Sequence, residues 1–148
     1  MWFSKKEGAA TPTSQPAGQP ASQVTTKVRG DAAEALALAH LQSAGLRLLD
    51  TNYRTPGRGG GEIDLVMRDK DGTLVFVEVR ARASASHGGA GASISTVKQQ
   101  RIVFAARLYL MRYKTLPPCR FDVVLIQGGR ADGQTPAIEW LRSAFDAF

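Results

Sequence analysis

The chain has 148 residues, is 43% hydrophobic and 22% charged, and carries a formal net charge of +6. That length supports one modest core rather than two, and no run reaches the ~18–20 apolar residues of a membrane span. Cys119 is the only cysteine, which excludes an intrachain disulfide. With no apolar stretch after Lys5 and Lys6, a secretory signal is not expected and a cytoplasmic location is.

The positive charge is unevenly spread. Residues 47–130 hold fourteen Lys/Arg against seven Asp/Glu, and three of those acids are Glu62, Asp64 and Glu78. A basic body attracts polyanions, nucleic acid among them, although a solvated basic surface is the plainer alternative.

Residues 1–27 read as a disordered tail and residues 28–148 as one domain. Positions 8–26 are Pro, Gln, Ser, Thr and small residues, too few large apolar groups to offset chain entropy. An Ala- and Leu-rich helix is predicted over about 29–44, ended by Gly45 as its C′ residue. A strand begins at Leu46, a glycine-rich turn fills 55–61, and a second strand runs from Glu62 to Arg68. Asp69-Lys70-Asp71-Gly72 is a hairpin turn leading into a third strand, Thr73–Arg80. Small residues make a loop of 83–92. It includes His87, a lone loop histidine that reads as solvated. Thr96 and Gln99 form a capping box for a second helix to about Tyr113, with Val97, Phe104, Leu108 and Met111 as its core face. Pro117-Pro118 blocks it, a fourth strand spans Arg120–Gln127, and Ile138–Trp140 is a fifth before a short terminal helix. The fold class is therefore α/β, a mixed central β-sheet flanked by helices, in the order α-β-β-β-α-β-β.

The chemistry concentrates in the second and third strands. Alternation puts Glu62 with Asp64, and Glu78 with Arg80, on a shared face, while Ile63, Leu65, Val77 and Val79 point to a core. A tight turn centred near Asp71-Gly72 sets Asp64 opposite Glu78, where Cβ atoms stand ~4.5–5.5 Å apart. Carboxylates that close repel unless a cation or a proton lies between them, and hard divalent cations prefer oxygen ligands.

Asp64 followed by Glu78-x-Arg80 resembles the D…(D/E)-x-K signature of the restriction-endonuclease-like nuclease superfamily. The ordered blocks Gly30/Glu34, Asn52-Tyr53-Arg54, Gly61-Glu62-Ile63-Asp64-Leu65, Val77-Glu78-Val79-Arg80, Lys98-Gln99 and Arg120-Phe121-Asp122-Val123-Val124 resemble the YraN family (UPF0102), related to Holliday-junction resolvases. That resemblance covers residues ~28–148. It implies a restriction-endonuclease-like sheet, a Mg²⁺ (or Mn²⁺) site at Asp64, Glu78 and the Val79 carbonyl, and Glu34 reaching the metal through water. The expected function is metal-dependent hydrolysis of DNA, on branched or damaged substrates, with dimerisation by analogy to resolvases. The alternatives are a nucleic-acid-binding module without turnover and a protein-interaction adaptor on the same scaffold.

Some assignments stay open at this level. Glu34, Leu38 and Leu41 share a helical stripe, which favours a site role for Glu34, yet Asp31-x-x-Glu34 also reads as a capping box. Arg80 stands where the superfamily has lysine, and arginine keeps its proton. Either Arg80 serves as an electrostatic clamp, or Lys98 takes the lysine's part, or turnover is lost. Arg80, Lys98, Arg101 and Arg54 are the candidate nucleic-acid contacts. Asp122 on the fourth strand either approaches the site or, the plainer reading, pairs with Arg120 or another arginine.

Overall fold

The computed structural model describes residues 21–82, 94–128 and 135–146. The tail before Ala21 and the loop bearing His87 lie outside them. The elements are α1 (Ala21–Ser43), β1 (Arg47–Arg54), β2 (Glu62–Arg68), β3 (Leu74–Arg82), α2 (Thr96–Leu110), β4 (Cys119–Gln127) and β5 (Ala137–Phe145). One five-stranded sheet in the order β1-β2-β3-β4-β5 is antiparallel except for β3 and β4, which run parallel and are joined through α2. The architecture is the α/β one expected from the sequence.

The two helices cover opposite faces, which explains why the central strands are apolar on both sides. Ala33, Ala37 and Leu41 of α1, spaced four apart, pack on Leu65, Met67, Val75, Val77, Val124 and Ile126. Ile102, Ala105, Ala106 and Tyr109 of α2 pack on Val66, Leu74, Phe76 and Phe121. Gly45, at φ +102, ends α1 as expected: Leu46 N donates to Leu41 O and Gly45 N to Gln42 O, the paired bonds of a Schellman motif.

Four expectations are corrected. Helix α1 begins at Ala21, directly after Pro20, rather than near Arg29. Asp31 is therefore mid-helix and cannot form a capping box with Glu34. The cap of α2 is Ser95, whose hydroxyl accepts from Lys98 N at 3.1 Å, while Gln99 donates to Ile94 O. The proposed core face of α2 is turned outward: Val97, Phe104 and Met111 are 57%, 44% and 77% exposed. The largest side chains marked that stripe. The sheet instead takes the face where Ala105 and Ala106 permit close approach. Finally, the chain after Trp140 stays in β5 instead of turning helical, because pairing with β4 and the stacking of Phe145 on Phe121 (centroids 5.0 Å) outweigh its local helix propensity.

Candidate functional site

The β2–β3 hairpin creates the site. The turn closes with Asp69 N donating to Thr73 O and Gly72, at φ +91, donating to Asp69 O. This fixes the register Leu65↔Val77, Val66↔Phe76, Met67↔Val75 and Arg68↔Leu74, the same register the sequence implied. The ladder stops at Leu65↔Val77. Beyond it Val79 N donates to Asp64 Oδ2 at 2.8 Å, so a side chain replaces the β2 main chain as acceptor. In a strand, a residue's N–H and C=O face the same neighbour. The Val79 carbonyl therefore faces the Asp64 side too. The parting of β2 from β3 also turns Ile63 into the α2 layer with Ile102, against the alternation that assigned it with Leu65 and Val77.

Asp64 and Glu78 meet there, and their carboxyl groups hydrogen-bond to each other. Glu78 is only 7% exposed. Burial, then the charge of Asp64, push its carboxyl up to about 7 from the ordinary 4.5. Burial raises Asp64 as well, opposed by the Val79 N–H. A second side chain enters from α2: Lys98 Nζ lies 3.4 Å from Glu78 Oε2. The interaction partly offsets the pair's negative charge.

Glu34 approaches from α1. Its carboxyl is raised by burial and then by Asp64, with Asn52 hydrogen-bonding to it and favouring the ionised form. Asn52 is the contributor that sequence reasoning missed. It sits inside β1 at φ +52, a conformation costly for most residues but tolerated by Asn. An asparagine interrupting a β-prone run was the available signal. Glu62 is paired with Arg54, its Oε2 accepting from Arg54 Nε at 2.9 Å, while its charge still bears on Asp64 and Glu34. Arg80 continues β3 two residues beyond Glu78 and is half-buried. Asp122 is committed elsewhere, to Arg120, Trp140 and Ser143.

The donor set suits a hard divalent cation. A buried carboxylate, Glu78, meets a half-buried one, Asp64, the first raised far enough to need a proton or a cation beside it, and a main-chain carbonyl faces them. Among the described residues no three acid, His or Cys side chains converge as a ready cage. Mg²⁺ does not require one, because it commonly uses one or two carboxylates and keeps water or substrate oxygens as its other ligands.

One glycine holds the two halves of the site together. A Cβ on Gly61 would lie 2.2 Å from Arg101 O, backbone against backbone. Gly61→Ala must push α2 off the β1–β2 connection, and Lys98 moves with it. We expect a loss of about 1–3 kcal/mol in denaturant unfolding; unchanged stability would contradict this contact.

A family model described as "Uncharacterised protein family UPF0102" matches residues 33–126, which include Glu34, Asp64, Glu78 and Lys98. A UPF0102 protein of Polaromonas naphthalenivorans is 66% identical over 152 residues, with 99% of each chain covered. One from a second Polaromonas is 63% identical over 149 residues, again with 99% of each covered. One from Cupriavidus pinatubonensis is 52% identical over 127 residues, 86% of this chain and 92% of that one. No helix among the described residues is long and apolar enough to cross a membrane. The chain belongs to the UPF0102 family.

Proposed function

We propose that this protein is a metal-dependent nuclease that hydrolyses DNA phosphodiesters at the Asp64–Glu78 pair. The observation that carries the reading is the meeting of these two carboxylates at the point where β2 parts from β3, with Lys98 Nζ 3.4 Å from Glu78. Asp64, Glu78 and the Val79 carbonyl would hold Mg²⁺ or Mn²⁺, with Glu34 contributing through water. A bound divalent cation supplies a water of lowered pKa and compensates charge on the phosphoryl oxygens.

The chain's own groups account for the remaining steps. Burial keeps the acids in a low-dielectric setting where their charge orients a nearby water strongly. Lys98 places an ammonium beside them, the part that the superfamily's signature gives to the lysine two residues after the second acid. An ammonium can give up a proton to a leaving oxygen, whereas the Arg80 guanidinium keeps its own. Arg80 fits the role of binding a phosphoryl oxygen as charge develops. The water oxygen bonds to phosphorus and its proton passes to solvent, while the bond from phosphorus to the leaving ester oxygen breaks and that oxygen takes a proton from the Lys98 ammonium or from solvent.

The test is cutting of duplex, branched and single-stranded DNA with Mg²⁺ or Mn²⁺, compared with Asp64→Ala. Wild-type protein is expected to cut only with the metal, and Asp64→Ala not at all. Equal cutting by the variant would assign the activity to a contaminant. A second reading, strand binding without turnover, rests on Arg80 standing in the lysine position. It predicts salt-sensitive binding with no cleavage under either metal.

A further inference from the structure

The connection from β1 to β2 folds back against α2 and leaves a cleft beside the acid pair. Thr55 ties its ends: Thr55 N donates to Gly61 O at 3.0 Å, and Thr55 Oγ1 accepts from Gly61 N at 2.8 Å. A Cβ on Gly60 would meet Thr55 O at 2.5 Å and one on Gly61 would meet Arg101 O at 2.2 Å, so this wall must be bare backbone. Arg54, Glu62, Lys98 and Arg101 line the rest of a cleft of about 320 Å³. Lys98 is shared with the acid pair, so the cleft adjoins the site and continues away from it.

The charges in the cleft do not cancel. Arg54 is matched by Glu62 through its Nε at 2.9 Å, and Lys98 is matched by Glu78. Arg101 is exposed and has no ion-pair partner among the described residues. A cleft with a spare guanidinium, a second held in place by a carboxylate, and a glycine wall that lets an anion approach the backbone matches the chemistry of a phosphate. Its position next to the acids selects a phosphate covalently continuous with the one at the site.

We propose that this cleft is a subsite for a backbone phosphodiester of the bound strand, neighbouring the one to be cut, with Arg101 its principal contact and Arg54 its second. Only the word "neighbouring" rests on the nuclease reading; the cleft's affinity for a strand stands without it. Arg101 therefore contributes to strand binding and not to metal binding.

The experiment measures binding of a short fluorescein-labelled strand by anisotropy, in EDTA, across a salt series, alongside calorimetric Mg²⁺ titration of the same full-length proteins. Arg101→Ala, an exposed change that leaves the core alone, is expected to raise Kd about 5–10-fold and to lower the salt slope by about 1. Its Mg²⁺ titration should match wild type. Asp64→Ala should do the reverse, losing Mg²⁺ and keeping strand binding in EDTA. An unchanged Kd and slope for Arg101→Ala would overturn the subsite, whatever the metal titration gives. So would competition by inorganic phosphate at concentrations as low as those of the unlabelled strand, which would mark a site for free anions. Absence of Mg²⁺ binding in wild type, with the Arg101→Ala defect intact, would overturn the nuclease reading and leave the subsite standing.

Discussion

Metal-free protein is expected to lose stability as the pH rises from mildly acidic to mildly alkaline, and Mg²⁺ is expected to restore it. The cause is Glu78, whose carboxyl ordinarily titrates at 4.5 and is pushed up to about 7 by burial and by the Asp64 charge. Between those values the folded chain keeps a proton that the unfolded chain has released. Unfolding stability then falls with rising pH, because the folded state binds more protons. The contribution is fully present below 4.5 and is lost as the pH climbs through about 7.

A displacement of this size corresponds to about 3 kcal/mol. Glu78 is 7% exposed, which leaves little solvent to screen it. Asp64 and Glu34 are shifted in the same direction and add to the slope. Asp69 and Asp71 are lowered by the hydrogen bonds they accept, so they act in the opposite sense and only in acid, below their ordinary 3.8. A divalent cation competes with the shared proton. Mg²⁺ should therefore stabilise the protein more at about pH 8 than at about pH 5. Urea unfolding at several pH values, with EDTA or Mg²⁺, gives both numbers. Stability that is level across this range in EDTA would remove the buried pair as described, and Glu78→Gln should flatten the slope.

The pairing of these acids could be read from the chain because two local rules are enough to place them. The Asp71-Gly72 turn sets which residues face one another, and strand alternation sets which side chains share a face. Neither rule needs the rest of the molecule, and both held as far as Leu65↔Val77. The rule failed two residues further along β2, at Ile63, because the Asp64 side chain takes over the Val79 N–H and the strands part. The contacts of Lys98 and Asn52 with the acids are tertiary. They depend on which face of α2 meets the sheet and on the bend of β1, and no local period encodes either. The inverted face of α2 has the same origin: a stripe of large apolar side chains and a stripe containing two alanines compete, and the sheet selects the flatter one. β5 continues past Trp140, where the sequence alone predicts a helix, because its pairing partner, β4, lies across an intervening loop in sequence.

The largest purely structural effect is expected at Asp122. It is fully buried on β4, and one β4 residue there stands opposite three of β5, between the pairs Phe121↔Phe145 and Val123↔Leu141. Its carboxylate accepts from Arg120 Nε at 3.1 and 3.2 Å, from Trp140 Nε1 at 2.9 Å and from Ser143 N at 2.9 Å, the last from a residue held at φ +50. The bulge in β5 is thus organised around one anion. Asp122→Ala would strand three donors and leave the Arg120 guanidinium, whose side chain is 17% exposed, with Asp69 alone. Removing one partner of a buried ion pair costs about 3–5 kcal/mol. The surviving Asp69 contact places this case near the lower figure. That loss should lower the melting temperature by roughly 10 °C. Asp122→Asn, which keeps one acceptor, should fall between the variant and wild type. Trp140, a partner of Asp122, packs with the α1 layer, whereas Glu78 meets Lys98 of α2. Asp122→Asn that remains folded should therefore bind Mg²⁺ as wild type does. If it bound no metal while keeping its melting temperature, Asp122 would belong to the site and the division between the two acid clusters would be wrong.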